Sequence, residues 1–238
     1  MKLSILMPAY NEAATLRTAI KRILDVHYPC EVELIVVNDG SQDNTREVLA
    51  SIDDPRVNVT EHPVNRGKGA AVRTAASLAT GDYLLVFDAD LEYSPEDILG
   101  LLAPVQRGDA EVVYGVRSFG ASTAHSFWFV IGNKVNTFTA NALFNTWISD
   151  LHTCLKMMPT ALFRDLPVTQ NRFGLDTEIT ALLLARGARP YEVPISYRAR
   201  SREEGKKLTW GDGVRATWIL IRVRMRRRAH LRHARKSA

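Results

Sequence analysis

The chain has 238 residues, 46% of them hydrophobic and 24% charged, which suits a globular protein with one sizeable core. Its net charge of +5 is uneven: nine Lys or Arg and no acid follow Asp212, while the preceding chain carries 22 basic against 26 acidic residues. No run reaches the roughly 20 uncharged apolar residues needed to span a bilayer, and Cys30 and Cys154 lack metal-type spacing, so a membrane-spanning protein and a cysteine-based metal module are set aside.

Met1-Lys2 leads straight into a strand-like run with no signal peptide, so a reduced, cytoplasmic setting is expected, with both thiols as small core residues. Leu3 to Met7 is a short apolar strand, broken by Pro8-Ala9-Tyr10-Asn11-Glu12, and Ala14 to Leu24 has helical periodicity. Val32 to Val37 is a second strand, ended by Asn38-Asp39-Gly40-Ser41, with a helix near Asn44 to Ile52. Val57 to Thr60 is a third strand, and a helix follows from Gly69 to Ala79. Tyr83 to Phe87 is a fourth; Ser94-Pro95-Glu96-Asp97 then predicts a helix start, with Ser94 as N-cap and proline at the first helical position. Glu111 to Tyr114 is a fifth strand. An aromatic-rich stretch follows to Trp147, then an irregular stretch to Asp150, a helix through Thr177 to Ala185 and a strand at Tyr191 to Tyr197. Short apolar strands alternating with helices predict an α/β fold, a mostly parallel, Rossmann-like sheet flanked by helices. The expected division is a domain over 1–208 and a basic, amphipathic C-terminal extension over 209–238.

Ligands of such sheets bind outside the carboxyl ends of the strands. Strand one ends in Pro8, Tyr10 and Glu12, strand two in Asp39, strand four in Asp88 and Asp90. No G-x-G-x-x-G follows strand one, which argues against a dinucleotide. An aromatic beside carboxylates suits stacking on a base and accepting hydrogen bonds from base N–H groups or ribose hydroxyls. Asp88 and Asp90 are two apart and point the same way on an extended backbone. With no His or Cys nearby they make a hard, all-oxygen site for Mg²⁺ or Mn²⁺ bridging phosphates, and Glu92 continues the alternation as a third ligand. Lys68, between Gly67 and Gly69, reads either as a phosphate or nucleotide contact or as a plain helix start; the loop is too short for a Walker A motif.

Met7-Pro-Ala-Tyr-Asn-Glu12, Val37-Asn-Asp-Gly-Ser41, Asn65-Arg-Gly-Lys-Gly69 and Phe87-Asp-Ala-Asp-Leu-Glu92 resemble the successive motifs of family 2 glycosyltransferases with the GT-A fold. Tyr114-Gly-Val-Arg117, Asp150 to Lys156, Phe173 to Glu178, Val193 to Arg198 and Glu204-Gly-Lys-Lys207 are similar to segments of the polyprenyl-phosphate (dolichyl-phosphate) mannose or glucose synthases. The resemblance implies that Pro8, Tyr10, Glu12, Val37 and Asp39 hold the nucleoside of a nucleotide-sugar donor. It places Asp88, Ala89 and Asp90 at the diphosphate and metal, and Arg117, Arg200 and Lys207 around the phosphates. Asp90, Arg117, Arg200 and Lys207 form the expected catalytic set, and Arg117 and Lys156 are read as cations that position the acceptor. Glu92 stands where the mannose enzymes often carry a Gln ligand, and Asp150-Leu-His-Thr-Cys-Leu-Lys156 departs from their common Asp-x-x-Thr-Gly-Phe-Arg form.

A sugar hydroxyl needs a general base as it attacks, whereas a lipid phosphate is already ionised and needs cations to position it. The expected reaction is therefore inverting transfer of a hexose from UDP or GDP to a polyprenyl phosphate. The alternative is a saccharide or small hydroxyl acceptor, with Asp150 or Asp176 as base. In the tail, Val214, Trp218, Ile221 and Met225 follow helical spacing beside arginines, the pattern of a helix lying on anionic lipid, although Ile221 to Arg226 also alternates as a strand would. The expected partners are the inner membrane face, reached peripherally through this segment, or a membrane protein. Nucleic acid is not expected, because no basic patch lies outside the tail and no recognition motif appears.

Overall fold

The computed structural model describes residues 1–117, 127–172, 174–199 and 210–234. Its centre is a seven-stranded sheet in the order β3-β2-β1-β4-β6-β5-β7. The strands are β1 (Lys2–Ala9), β2 (Glu31–Asn38), β3 (Val57–Glu61), β4 (Tyr83–Val86), β5 (Val113–Arg117), β6 (Lys156–Pro159) and β7 (Tyr191–Ile195). All pairings are parallel except those of β6, which runs antiparallel to both β4 and β5. The expected five-strand core and last strand are thus present, and β6 is an addition that the sequence reading did not contain.

The strands β1, β2 and β4 are near-continuous apolar runs because helices cover both faces: Leu3, Ile5, Leu6, Leu34, Ile35, Leu84 and Leu85 are fully buried. The helices are α1 (Leu16–Asp25), α2 (Thr45–Ala50), α3 (Lys68–Leu78), α4 (Asp97–Gln106), α5 (Phe127–Phe144), α6 (Thr160–Arg164), α7 (Leu175–Ala185) and α8 (Trp210–Ala234). α4 starts later than expected. Ser94 Oγ turns to the Glu96 carboxylate instead of capping, and the first turn is set by backbone bonds from Asp97 N to Ser94 O and Ile98 N to Pro95 O.

The strand-or-helix ambiguity of the tail resolves as helix. α8 buries Ala216, Ile219, Leu220 and Val223, at i, i+3, i+4 and i+7, and the last three join Ala140, Phe144, Ile148, Leu151, Ala181 and Leu184 in a second apolar cluster with α5 and α7. The stripe expected from sequence is the outward one: Val214, Trp218 and Met225 are exposed. No helix among the described residues is long and apolar enough to cross a membrane.

The start of α3 shows why its glycines are needed. A Cβ on Gly69 would come within 3.0 Å of the Gln170 carbonyl oxygen, and Gly69 N donates to Asn171 O at 2.8 Å. Helix propensity favours alanine there by about 1 kcal/mol, but forcing a methyl against rigid backbone costs about 1–3 kcal/mol and strains that hydrogen bond as well. Gly69→Ala is therefore expected to lower stability by about 1–3 kcal/mol in denaturant unfolding. A variant as stable as the parent would show that the 169–171 loop yields freely.

Candidate active site

The strand order turns at β1 and β4: β2 and β3 lie to one side of β1, and β4 with the remaining strands to the other. That is the switch point where open α/β sheets bind ligands. The loops leaving β1 and β2 are stitched together there. Asn11 N donates to Ser41 Oγ at 3.0 Å, Gln42 N to Asn11 Oδ1 at 2.8 Å, Glu12 N to Thr45 Oγ1 at 3.1 Å and Ala13 N to Asp43 Oδ2 at 3.1 Å. Asn11 and Leu91, two of the three non-glycine residues with positive φ among those described, flank this corner at φ 55° and 61°. Strained backbone of this kind persists where surroundings over-determine it, commonly at functional sites.

Pro8, Tyr10 and Glu12 reach partly exposed positions at the end of β1, with the Glu12 carboxylate accepting the Thr15 hydroxyl at 2.8 Å. Val37 is fully buried and Ala89 nearly so, which leaves their main chains as the parts that a nucleotide can meet. Asp39 is only 2% exposed. Its Oδ1 pairs with His62 Nδ1 at 2.7 Å and accepts Arg66 N at 3.0 Å, and its Oδ2 accepts Gly67 N at 2.7 Å. The carboxylate thus anchors the turn that delivers Lys68. His62 Nε2 in turn lies 2.9 Å from Thr74 Oγ1 on α3. Nothing in the sequence spacing singles out His62.

Beyond β4, Lys68 Nζ donates to Asp88 Oδ2 at 2.8 Å and lies 3.7 Å from Asp176 Oδ2. Burial opposes the charge on this amine, yet Asp176 and Asp88 outweigh it and hold the ammonium well above the ordinary lysine range. Asp90 Oδ1 accepts the Glu92 amide at 3.1 Å, which closes a tight turn through Leu91. Glu92 Oε2 accepts the Tyr197 hydroxyl at 2.6 Å. Among the described residues no three His, Cys, Asp or Glu side chains converge as a metal cage. Asp88 and Asp90 nevertheless place two carboxylates beyond one strand end, hard oxygen groups of the kind that could hold Mg²⁺ or Mn²⁺.

The expected cations behave differently from one another. Arg117, at the end of β5, makes a two-pronged pair with Asp150, Nε to Oδ2 at 2.6 Å and Nη2 to Oδ1 at 2.7 Å, and lies 5.0 Å over the Tyr197 ring. Lys156 was expected at the acceptor, but β6 carries its side chain inward. Its amine is buried and donates to Leu151 O at 3.0 Å and Asp176 O at 2.8 Å, so it braces the start of α7. Burial brings that amine down to about 8 although Asp176 pulls it upward. Arg200 and Lys207 lie outside the described residues.

The two candidate bases also differ. Burial alone would raise the Asp150 carboxyl, but Arg117 and Asn133, which donates to Oδ1 at 3.1 Å, hold it at about 2. A carboxylate so committed is a poor proton acceptor. Asp176 sits in the first turn of α7 between Lys68 and Lys156, and its Oδ1 is buried without a hydrogen bond from any described residue. His152 reads as structural: burial lowers it to about 4, and its Nε2 takes the Asn136 amide at 3.3 Å.

Residues 4–166 match the family model of Glycosyl transferase family 2. The chain belongs to that family. Among relatives of this family 2 chain, the uncharacterized glycosyltransferase YkcC of Bacillus subtilis (strain 168) is 37% identical over 119 residues, covering 48% of this chain and 36% of YkcC. The dolichol-phosphate mannosyltransferase of Pyrococcus furiosus is 26% identical over 223 residues, 87% of this chain and 59% of that protein. The undecaprenyl-phosphate 4-deoxy-4-formamido-L-arabinose transferase of Proteus mirabilis is 35% identical over 112 residues, 45% of this chain and 34% of that protein. The chain therefore spans about one third to three fifths of these relatives' lengths. In three dimensions it resembles glucosyl-3-phosphoglycerate synthase from Mycobacterium tuberculosis, crystallised with Mn²⁺, UDP and glucosyl-3-phosphoglycerate. The TM-score is 0.69 at 19% identity, over 95% of this chain and 79% of that one, and the shared fold is GT-A.

Proposed function

We propose that this family 2 chain transfers a hexose, with inversion at the anomeric carbon, from a UDP- or GDP-sugar to a polyprenyl phosphate. The donor lies across the β1–β4 switch point, its nucleoside against Pro8, Tyr10 and the Asp39-anchored turn, its diphosphate facing Asp88, Asp90 and Lys68. Asp88 and Asp90 would hold a divalent cation, Mg²⁺ or Mn²⁺, which when bound neutralises charge on the departing diphosphate. Lys68 supplies a buried positive charge at the same place, where low dielectric makes it count for more than in water.

The observation that carries the acceptor is the apolar surface of two adjacent helices. α5 exposes Phe127, Trp128, Ile131, Val135 and Phe138, and α8 exposes Val214, Trp218 and Met225. The exposed Arg215, Arg222 and Arg226 stand among the latter. Aromatic and aliphatic side chains beside arginines suit a surface of anionic lipid, where a polyprenyl phosphate resides. The low Asp150 carboxyl adds support, since a phosphate nucleophile arrives ionised. The names of the Pyrococcus and Proteus relatives support the same class of acceptor. A second reading is favoured by Asp176, whose Oδ1 receives no hydrogen bond from any described residue although Lys156 Nζ lies 3.8 Å away, and which could take a proton from a saccharide or small hydroxyl acceptor.

The test is incubation with a panel of UDP- and GDP-sugars and Mg²⁺ or Mn²⁺, with polyprenyl phosphate presented in anionic vesicles. Acid-labile lipid product is expected, with the protein floating with the vesicles and losing that recovery when the outward Val214, Trp218 and Met225 are changed to Ser, which leaves the packed face of α8 in place. Product with a soluble sugar acceptor alone would establish the second reading instead. Undiminished flotation of that variant would remove the outward stripe of α8 as the anchor.

A further inference from the structure

Within the Asp88-Ala89-Asp90-Leu91-Glu92 run, Glu92 is tied to residues just beyond β7. Its Oε2 accepts the Tyr197 hydroxyl at 2.6 Å, and its backbone carbonyl accepts Arg198 N at 2.9 Å. Tyr93 and Tyr197 form an antiparallel bridge with ring centroids 5.2 Å apart. Tyr93 is itself held, its hydroxyl accepting Cys154 N at 3.1 Å. Arg117 covers the outer face of this pairing, 5.0 Å above the Tyr197 ring and locked by Asp150. From the other side, Glu92 N donates to Asp90 Oδ1 at 3.1 Å, so whatever fixes Glu92 also fixes the Asp90 carboxylate.

We propose that Glu92 is a positioning residue: with Tyr197 it forms a latch that aims the Asp90 carboxylate. The proposal rests on the reading of Asp88 and Asp90 as the donor's diphosphate and metal corner. A third carboxylate serving as metal ligand would have to turn toward Asp88 and Asp90. The Tyr197 hydroxyl instead holds Glu92 Oε2 by donating to it at 2.6 Å. Tyr197 is 6% exposed and Tyr93 4%, while Glu92 is half-buried, so the hydroxyl end of the latch is shielded from water and its bond to the carboxylate is strengthened.

The test compares Tyr197→Phe, Glu92→Ala, their double variant and Glu92→Gln in the full chain by two measurements. The first is Mn²⁺ binding in the presence of UDP or GDP, read by electron paramagnetic resonance of the free ion. The latch predicts that Tyr197→Phe and Glu92→Ala each weaken Mn²⁺ binding about tenfold, that the double variant is no worse than either, and that Glu92→Gln, which keeps an acceptor for the hydroxyl, recovers most of the loss. A large loss in Glu92→Ala with Tyr197→Phe unchanged would make Glu92 a ligand and overturn the proposal, as would additive losses. The second measurement is amide hydrogen exchange without nucleotide or metal. Both single variants are expected to speed exchange over residues 90–93, and no change in either would overturn the latch whatever binds. Parent protein that takes up no Mn²⁺ with either nucleotide would overturn the donor-site reading, and with it the positioning role.

Discussion

Asp90→Ala is expected to lower sugar transfer by about 10³-fold or more with either Mg²⁺ or Mn²⁺ while leaving the fold intact. The side chain is partly exposed beyond the end of β4, and its Oδ1 accepts the Glu92 amide. Losing that bond costs about 1 kcal/mol of stability, a small part of a domain's total, so the melting temperature should move by only a few degrees. The chemical loss is larger because a charge aimed at the departing diphosphate acts mainly in the transition state. Asp90→Asn separates the two effects. It keeps an oxygen to accept the Glu92 amide and therefore the turn, but it removes the charge. Transfer by Asp90→Asn should stay near that of Asp90→Ala. Near-parental transfer by Asp90→Ala would sink the metal assignment, and recovery by Asp90→Asn would assign the residue to turn geometry alone.

The donor side of this site is legible in the sequence because it lies at strand ends. Leu3 to Met7, Val32 to Val37 and Tyr83 to Phe87 are apolar runs that can only be buried strands, and each stops at polar residues that the sheet then gathers at one edge. β6 was not legible: Lys-Met-Met-Pro has no β-branched residue and opens on a lysine, so nothing local marks it as an interior strand. It is accepted there because Leu151 O and Asp176 O receive the Lys156 amine. Cations expected at phosphates or at the acceptor are engaged within the protein in the same way. Lys68 meets Asp88, Lys156 meets α7 and Arg117 meets Asp150, all partners 20 or more positions away, and no local pattern reports such pairs. Asp39 shows the reverse case. Its place at a strand end was readable, but its saturation by His62, Arg66 and Gly67 required the fold. For α8 the sequence held two stripes at helical spacing, and only the positions of α5 and α7 decide which one is covered.

Arg117→Ala is expected to cost about 3–5 kcal/mol of stability, the largest loss of any single change considered, because it strands the Asp150 charge inside the protein. Asp150 is 3% exposed, and its remaining donors, Asn133 and the His152 amide at 3.2 Å, are neutral. The sign of the pH effect follows. In the parent, burial opposes ionisation but Arg117 prevails and holds the carboxyl at about 2, below its unperturbed value of 3.8. The stability this contributes is therefore fully present above about pH 4 and disappears as pH falls through about 2. Without Arg117, burial acts nearly unopposed, the carboxyl rises, and protonation relieves the stranded charge at higher pH. The gap between parent and variant should accordingly narrow as pH is lowered from 7 towards 4, as measured by urea unfolding at each pH. Arg117→Lys should fall between the two, since one ammonium keeps the charge but not the two-pronged geometry or the flat contact with Tyr197. The double variant Arg117→Met, Asp150→Asn should be more stable than Arg117→Ala, because no buried charge is left without its partner. If Arg117→Ala loses less than about 1 kcal/mol, or its loss is the same at pH 7 and pH 4, the pair is not the buried, mutually dependent unit described, and Asp150 regains its claim as a base.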